Sequence, residues 1–455
     1  MFGAALVALA LAADVSGTKA PAGLYMGAGV GAGVVGGDVV LATDIALGIE
    51  SAPFSLHLRA PPTLRLFDLP PLTSPSLPST CRIIRCEEAL SGERLDPTAF
   101  ARVVDEVRLF QPGDVVHARA GRLSATIGAG AAVDRLTTMA SWDRRTSGAY
   151  AALRLPWQRF TLELLTADVV SPLELMAGRG EGEVTALLGA PVIVGGEVAV
   201  DAFAPVDATD AGGAVRPGAQ TRPLGAAVVD ARLLLGEGGV ISGGPRLELS
   251  AMTGLAGGAA IGDVPVGGGA AVGGEGIFKV AFVDVRGLAM AGWSSPGHRR
   301  GVFQTFHLVE RRRVLAGGAV DDATLLGVAA PGGASLDVRL DASVLDVVAP
   351  IVRVHLEPTP GGNAVEAGVV VDADPVTVSV AAIRRGFIDA ASLVGPDLER
   401  VPLLLAAEAS WRVWGPLSMW ARWYRLPRFS RERGLSVDDD VLAGVSVNGA
   451  IVPAP

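Results

Sequence analysis

From Ala149 to Asp168 the chain reads AYAALRLPWQRFTLELLTAD, and as two strands joined at Pro156-Trp157-Gln158 it sorts its residues by type. Ala149, Ala151, Leu153 and Leu155 fall on one face, with Tyr150, Ala152 and Arg154 on the other; in the second arm Phe160, Leu162 and Leu164 oppose Arg159, Thr161 and Glu163. Successive side chains of a strand point to opposite sides of the sheet, so a period of two marks a strand with one apolar and one polar face. A single hairpin of this kind fits any antiparallel sheet. The constraint comes from recurrence, because the same pattern runs through most of the chain with arginines and carboxylates on the polar side.

Phe54 to Leu66 sets Phe54, Leu56, Leu58, Ala60, Leu64 and Leu66 against Ser55, His57, Arg59, Thr63 and Arg65. At about 9–11 residues a tilted strand crosses the hydrocarbon of a bilayer, and this stretch is long enough. Val229, Ala231 and Leu233 oppose Asp230 and Arg232; Leu247, Leu249 and Ala251 oppose Arg246, Glu248 and Ser250. Leu336, Val338, Leu340 and Ala342 oppose Asp337, Arg339 and Asp341, and Val352, Val354 and Leu356 oppose Arg353, His355 and Glu357. Strands are also expected at Arg122 to Gly130, at Ile277 to Trp293 with Asp284 and Arg286 on the polar face, and at Val302 to Arg312.

Composition excludes several classes. Half of the 455 residues are hydrophobic, 59 are glycine, and no long amphipathic helix supports a large α/β protein. A net charge of −9 argues against a nucleic-acid partner. The five histidines, His57, His117, His298, His307 and His355, show neither metal-ligand spacing nor a Ser/His arrangement, so no enzyme activity, metal or cofactor is expected. The acidic run Asp438-Asp439-Asp440 reads as a solvated turn at a strand entrance.

Phe2 to Ala13 is an apolar run with small residues at its end, and 1–13 is expected to be an export signal, although it lacks a positive n-region. In an exported chain Cys81 and Cys86 are expected to form a local disulfide. They lie in 67–113, the longest interruption of the pattern, where Asp96 caps a predicted helix, Pro97 opens it, and Phe100, Val103, Val104 and Val107 form its stripe. This insertion is expected to serve as a cap or lumen plug, or as a plain surface excursion.

The expected fold is all-β: a transmembrane antiparallel up-and-down β-barrel of about 18–20 strands spanning 22–452. Long connections (67–113, 131–145, 204–220, 256–273, 313–332, 387–399 and 428–438) follow odd-numbered strands, and tight ones such as Ser51-Ala52-Pro53 and Gly415-Pro416 follow even-numbered strands. That asymmetry is the habit of outer-membrane barrels. In lipid a sheet must close to pair every backbone group, so the apolar face is outside and the charges are inside. An Arg facing lipid at mid-membrane would cost about 2–4 kcal/mol. Trp157, Trp293, Trp411, Trp414, Trp420 and Trp423 fall near strand ends, as an interfacial belt requires.

With phrases such as GRLSATIGAG and TLELLTADVVSP, residues 22–452 resemble the porin-like outer-membrane β-barrels of Gram-negative bacteria, especially arginine- and alanine-rich myxobacterial barrels. The chain departs from that pattern in ending Ile451-Val452-Pro453-Ala454-Pro455 rather than on an aromatic. The resemblance implies a bacterial outer-membrane location, with the lipid bilayer and lipopolysaccharide as surroundings and periplasmic or outer-membrane proteins as candidate partners. The expected function is a channel for small or anionic solutes; the alternative is a polysaccharide-export barrel or an envelope-machine scaffold. Lumen-lining residues are expected to be Arg59, Arg65, Arg119, Arg154, Arg159, Glu163, Asp230, Arg232, Arg246, Glu248, Asp284, Arg286, Asp337, Arg339, Asp341, Arg353, Glu357, Glu408 and Arg412, acting either in selectivity or as structural ion-pair ladders.

Overall fold

The computed structural model describes residues 23–67, 104–137, 147–205, 221–304, 330–387, 393, 403–430 and 434–453, with gaps of one to three residues inside these stretches. The expected signal segment and the pair Cys81 and Cys86 lie outside them, as do Asp96, Pro97, Phe100 and Val103 of the predicted helix. The described chain builds one closed antiparallel barrel of 20 strands. Among the described residues, no helix is long and apolar enough to cross a membrane.

The first seven strands are β1 (Gly23–Val35), β2 (Asp38–Glu50), β3 (Phe54–Ala60 and Thr63–Phe67), β4 (Val104–Leu109), β5 (Val116–Gly121), β6 (Gly148–Leu155) and β7 (Phe160–Thr166). Next come β8 (Met176–Leu187), β9 (Ala190–Pro205), β10 (Thr221–Leu233), β11 (Ile241–Thr253), β12 (Val264–Val280) and β13 (Val283–Ser294). The circuit finishes with β14 (Gly333–Val344), β15 (Val348–Leu356), β16 (Ala364–Ala373), β17 (Val376–Arg385), β18 (Leu403–Trp414), β19 (Leu417–Ser430) and β20 (Gly434–Pro453). Each strand pairs with the next, and β20 returns to β1 from Val34↔Val441 to Gly23↔Pro453. Strand β3 keeps one register against β2 across Pro61-Pro62, with Ile45↔Ala60 on one side and Ala42↔Thr63 on the other.

Alternation decides which face meets lipid. On β11, Leu247 and Leu249 are 51% and 55% exposed while Arg246 and Glu248 are 3% and 2% exposed. The hairpin β6–β7 behaves as its sequence implies, with Leu162 and Leu164 outward and Glu163 inward beneath the Tyr150 hydroxyl. Trp157, Trp293, Trp411, Trp414 and Trp423 are exposed on the outside.

Several expectations are corrected. Val104 and Val107, assigned to a helical stripe, belong to β4: Val107 and Leu109 pair outward-facing neighbours, and Arg108 turns inward to Glu50. Three-residue spacing fits a helix, but the ladder to β3 wins. Ile277 to Trp293 is divided between β12 and β13 by a turn at Ala281-Phe282, where Ala281 takes φ 38°. Asp438-Asp439-Asp440 lies within β20, with Asp440 buried. The connections 36–37 and 431–433 are short although they follow odd-numbered strands. Arg122 to Gly130 and Val302 to Arg312 supply no wall strand among the described residues: Leu123, Ala125, Ile127, Val302 and Phe303 are buried in the lumen.

Trp420 is also corrected. It lies on the lumenal side of β19, its ring against Gly31 of β1 and Gly444 of β20, where added Cβ atoms would meet it at 2.5 and 2.6 Å. Arg422 stacks over the same ring at 4.6 Å. The indole thus keys the closing seam from inside, and small residues on both seam strands let it lie flat.

A side chain at Gly31 would also meet the Ala443 carbonyl oxygen at 2.6 Å, so Gly31→Val is expected to prevent closure. Ala28→Val, on the outward face of the same strand, is expected to be tolerated. Heat-modifiable gel migration after refolding separates the two; equal behaviour would contradict the seam assignment.

Candidate functional site in the barrel lumen

Two connections fold back into the barrel. The first, after β5, is apolar: Leu123, Ala125, Ile127, Ala131, Ala132, Val133 and Leu136 are buried and pack against Leu165, Leu224, Ala226, Val228 and Met252 of the inner wall. Short pairings of Ser124 with Thr137 and Ala125 with Leu136 give it shape. Its alternating apolar residues look like the outward face of a strand, but here their partner is an apolar patch of the wall near the long-loop end. The second connection, after β13, carries Val302 and Phe303 into the same cluster. It runs parallel to the first at Phe303↔Val133, and Gly301 N–H donates to the Ala131 carbonyl at 2.6 Å.

The second segment is latched by three consecutive side chains. Arg300 donates twice to Glu248 of β11 at 2.8 and 2.9 Å and to Asp337 of β14 at 2.5 Å. Arg299 faces Glu357 at 2.8 Å, and His298 Nε2 lies 2.7 Å from Ser250 Oγ. Burial holds the His298 imidazole below its ordinary pKa, with Glu357 and Glu248 acting in the opposite sense. Among the described residues its Nδ1 is buried without a hydrogen-bond partner.

Toward the short-turn side of the apolar cluster, β8 to β12 project a closed ring of alternating charge. Arg179 bonds Asp230 and Glu181, Arg246 bonds Asp230 and Glu275, and Arg232 bonds Glu275 and Glu181, all at 2.5–3.1 Å. Each arginine serves two carboxylates and each carboxylate two arginines, so the ring is neutral and every member has both neighbours engaged. The Arg179 guanidinium fits between Gly195 of the wall and Gly128 of the apolar segment, where added Cβ atoms would meet it at 2.2 and 2.8 Å. Glu197, 1% exposed, accepts the Val133 N–H at 3.0 Å and ties that segment to the wall. Solvent reaches the ring from the turn side: the Glu181, Arg232 and Glu275 side chains are 18%, 23% and 26% exposed, against 2% for Arg179 and Arg246.

The other anticipated lumen residues are dispersed. Asp230, Arg232 and Arg246 enter the ring; Glu248, Asp337 and Glu357 receive the latch; Arg339 and Arg353, opposite each other on β14 and β15, both approach Asp337. Asp284, Arg286 and Asp341 share the inward face toward the turn side, with Arg286 opposite Asp341. Glu408 meets Tyr424 and Arg422. Arg119 and Arg154 face inward on β5 and β6, and Arg59 and Arg65 lie on β3 opposite Ala46 and Val40. Arg159 pairs with Glu183 and Arg412 with Asp374, both at the turn-side rim rather than along the lumen. Arg179, Glu181, Glu197, Glu275, Arg299 and Arg300 escaped the sequence reading. Around the first two, the outward positions Gly178, Gly180 and Gly182 are too small to register as apolar. Among the described residues, no group of three or more His, Cys, Asp and Glu side chains is arranged to hold a metal ion.

Asp230→Asn would leave Arg179 and Arg246 short of a buried counter-charge, so stability is expected to fall by about 3–5 kcal/mol. Glu183→Gln at the exposed Arg159 pair should cost under about 1 kcal/mol. Urea unfolding in lipid vesicles measures both, and equal losses would show that the ring is no more than a surface pair.

No protein-family model matches the chain, and no curated protein sequence matches it. Among solved structures it is similar to CdiB from Acinetobacter baumannii, with 8% identity over 94% of this chain and 60% of that chain and a TM-score of 0.29. It is similar to the FrpB iron transporter from Neisseria meningitidis (8% identity, 97% and 83% covered, TM-score 0.38). The siderophore receptor PirA from Acinetobacter baumannii is a further one (9% identity, 95% and 81% covered, TM-score 0.35).

Proposed function

We propose that this chain is a bacterial outer-membrane channel for small or anionic solutes, narrowed by the two segments folded into its lumen. The location follows from physics: a closed sheet with an apolar outer band is the form in which strands cross lipid, and barrels of this build belong to outer membranes. Barrels of 16–18 strands already leave an aqueous channel, so this circumference leaves room for solute once the lumen is clear. The observation that carries the reading is the latch, in which Arg300 reaches Glu248 and Asp337 on separate strands. No catalytic step is assigned to the protein.

The segment after β13 is held both by these ion pairs and by Val302 and Phe303 in the apolar cluster, and removing the pairs loosens the first of the two holds. Removing the Arg300 pairs costs about 3–5 kcal/mol for a buried pair broken on one side. That shifts the open-to-closed ratio by roughly a hundredfold or more. Single-channel recording in planar bilayers tests this. Arg300→Gln is expected to raise open probability or conductance steeply above the wild-type level. If wild type and variant are equally silent, the barrel is a static scaffold or serves export, and the channel reading falls.

A further inference from the structure

The segment after β13 is seated on a stretch of bare backbone. At Gly267 of β12 an added Cβ would meet the Gly297 carbonyl carbon and the His298 nitrogen at 2.4 and 2.6 Å, and at Gly269 it would meet the His298 ring at 2.7–3.0 Å. Ser295 closes the corner with Gly268, giving its N–H to the carbonyl at 2.8 Å and accepting the Gly268 N–H on Oγ at 2.9 Å. This seat leaves the His298 residue 5% exposed. Its Nε2 lies 2.7 Å from Ser250 Oγ, which in turn donates to the Gly269 carbonyl at 3.4 Å and so can accept the Nε2 hydrogen. A neutral imidazole with its hydrogen on Nε2 fits this arrangement, because the partnerless Nδ1 then carries only a lone pair.

We infer that His298 makes the latch acid-sensitive: a proton on its imidazole favours the state in which the segment after β13 has left the wall. This rests on the channel reading and adds its regulation. The groups facing the imidazole are Ser250 and Glu248 on β11, Asp337 and Arg339 on β14, Arg353, His355 and Glu357 on or just after β15, and Arg299 and Arg300 beside it. The carboxylates already have cations. Both Glu248 oxygens take Arg300; Asp337 takes Arg300 and Arg339, with Arg353 at 3.7 Å; Glu357 takes Arg299 and lies 3.5 Å from His355. Arg353 also has Glu366 of β16 as its neighbour across the ladder. A protonated His298 would add one more cation to this set and place an N–H on Nδ1 with no acceptor among the described residues. Burying a charge and an unmatched donor both cost free energy, whereas a hydrated imidazole takes its proton near the ordinary pKa of about 6.5. Burial accordingly holds the seated imidazole below that value. The sign follows: the seated state is fully favoured above about pH 6.5, and its advantage is lost as the pH falls below that, where the released segment binds the proton more tightly.

The test uses the full-length barrel in lipid, in two formats, between about pH 7.5 and about pH 5, a window that lies above the usual carboxylate range. In planar bilayers the open-to-closed ratio of the wild type is expected to rise by up to roughly thirtyfold as the pH falls across that window. His298→Gln can still bond Ser250 and stays uncharged, so its ratio should not respond. His355→Gln should respond as the wild type does. A nitroxide on Pro296→Cys, an exposed position where the segment leaves β13, reads release without current once Cys81 and Cys86 are replaced by serine. Its spectrum is expected to sharpen reversibly on acidification and to stay broad when His298→Gln is added. Sharpening without any current supports the acid-sensitive latch, and the channel reading alone then fails. A spectrum that is unchanged or broader at low pH in the chain that keeps His298 overturns the proposal, whether or not His298→Gln folds. So does a response that survives in His298→Gln or vanishes in His355→Gln.

Discussion

Everything in this molecule follows from the requirement that a backbone surrounded by hydrocarbon satisfy its own hydrogen bonds. A sheet meets it only by closing, and here closure depends on β1 and β20 coming close enough to pair along most of β1. Glycines at 27, 29, 31 and 33 line the inner face of β1, and Trp420 lies across Gly31 and Gly444. An aromatic residue that would otherwise sit in the membrane boundary is used inside, at the seam, where it fills the space the missing side chains leave.

Closure also dictates the chemistry of the interior. With lipid claiming the outward positions, charged residues of the wall strands turn mostly inward, Arg425 and Asp439 forming an outward pair beside Trp423, and neighbouring strands neutralise one another across short distances. The ring formed by Arg179, Glu181, Asp230, Arg232, Arg246 and Glu275 is the most complete case, and its neutrality makes it a poor selector but a strong brace. The apolar segment 123–137 rests beside the ring because the wall above it carries Leu165, Leu224, Ala226 and Met252 instead of charge.

Much of the wall was legible in the sequence because period-two alternation survives wherever the outward residues are large: β6, β7, β10, β11, β14 and β15 were read in the correct phase. It failed where those residues are glycine, as in β8, and where apolar alternation served the lumen, as at Leu123, Ala125 and Ile127. In the candidate site, the wall carboxylates Glu248, Asp337 and Glu357 were visible as members of alternating strands. Their partners Arg299 and Arg300 were not, since a connection that folds inward carries no periodic signal. Val104 and Val107 were misread because two valines three apart satisfy a helix as well as a bulged strand.

The central claim is that these strands present alternate residues to lipid and to an ionic lumen. It is tested most directly by a spin-label scan along β11, with single cysteines introduced from Pro245 to Ala251 after Cys81 and Cys86 are replaced by serine, in bilayer-reconstituted protein. Oxygen accessibility is predicted to rise and fall with a period of two, peaking at 245, 247, 249 and 251, with minima at 246, 248 and 250. A flat profile, or maxima at the even positions, would contradict the account.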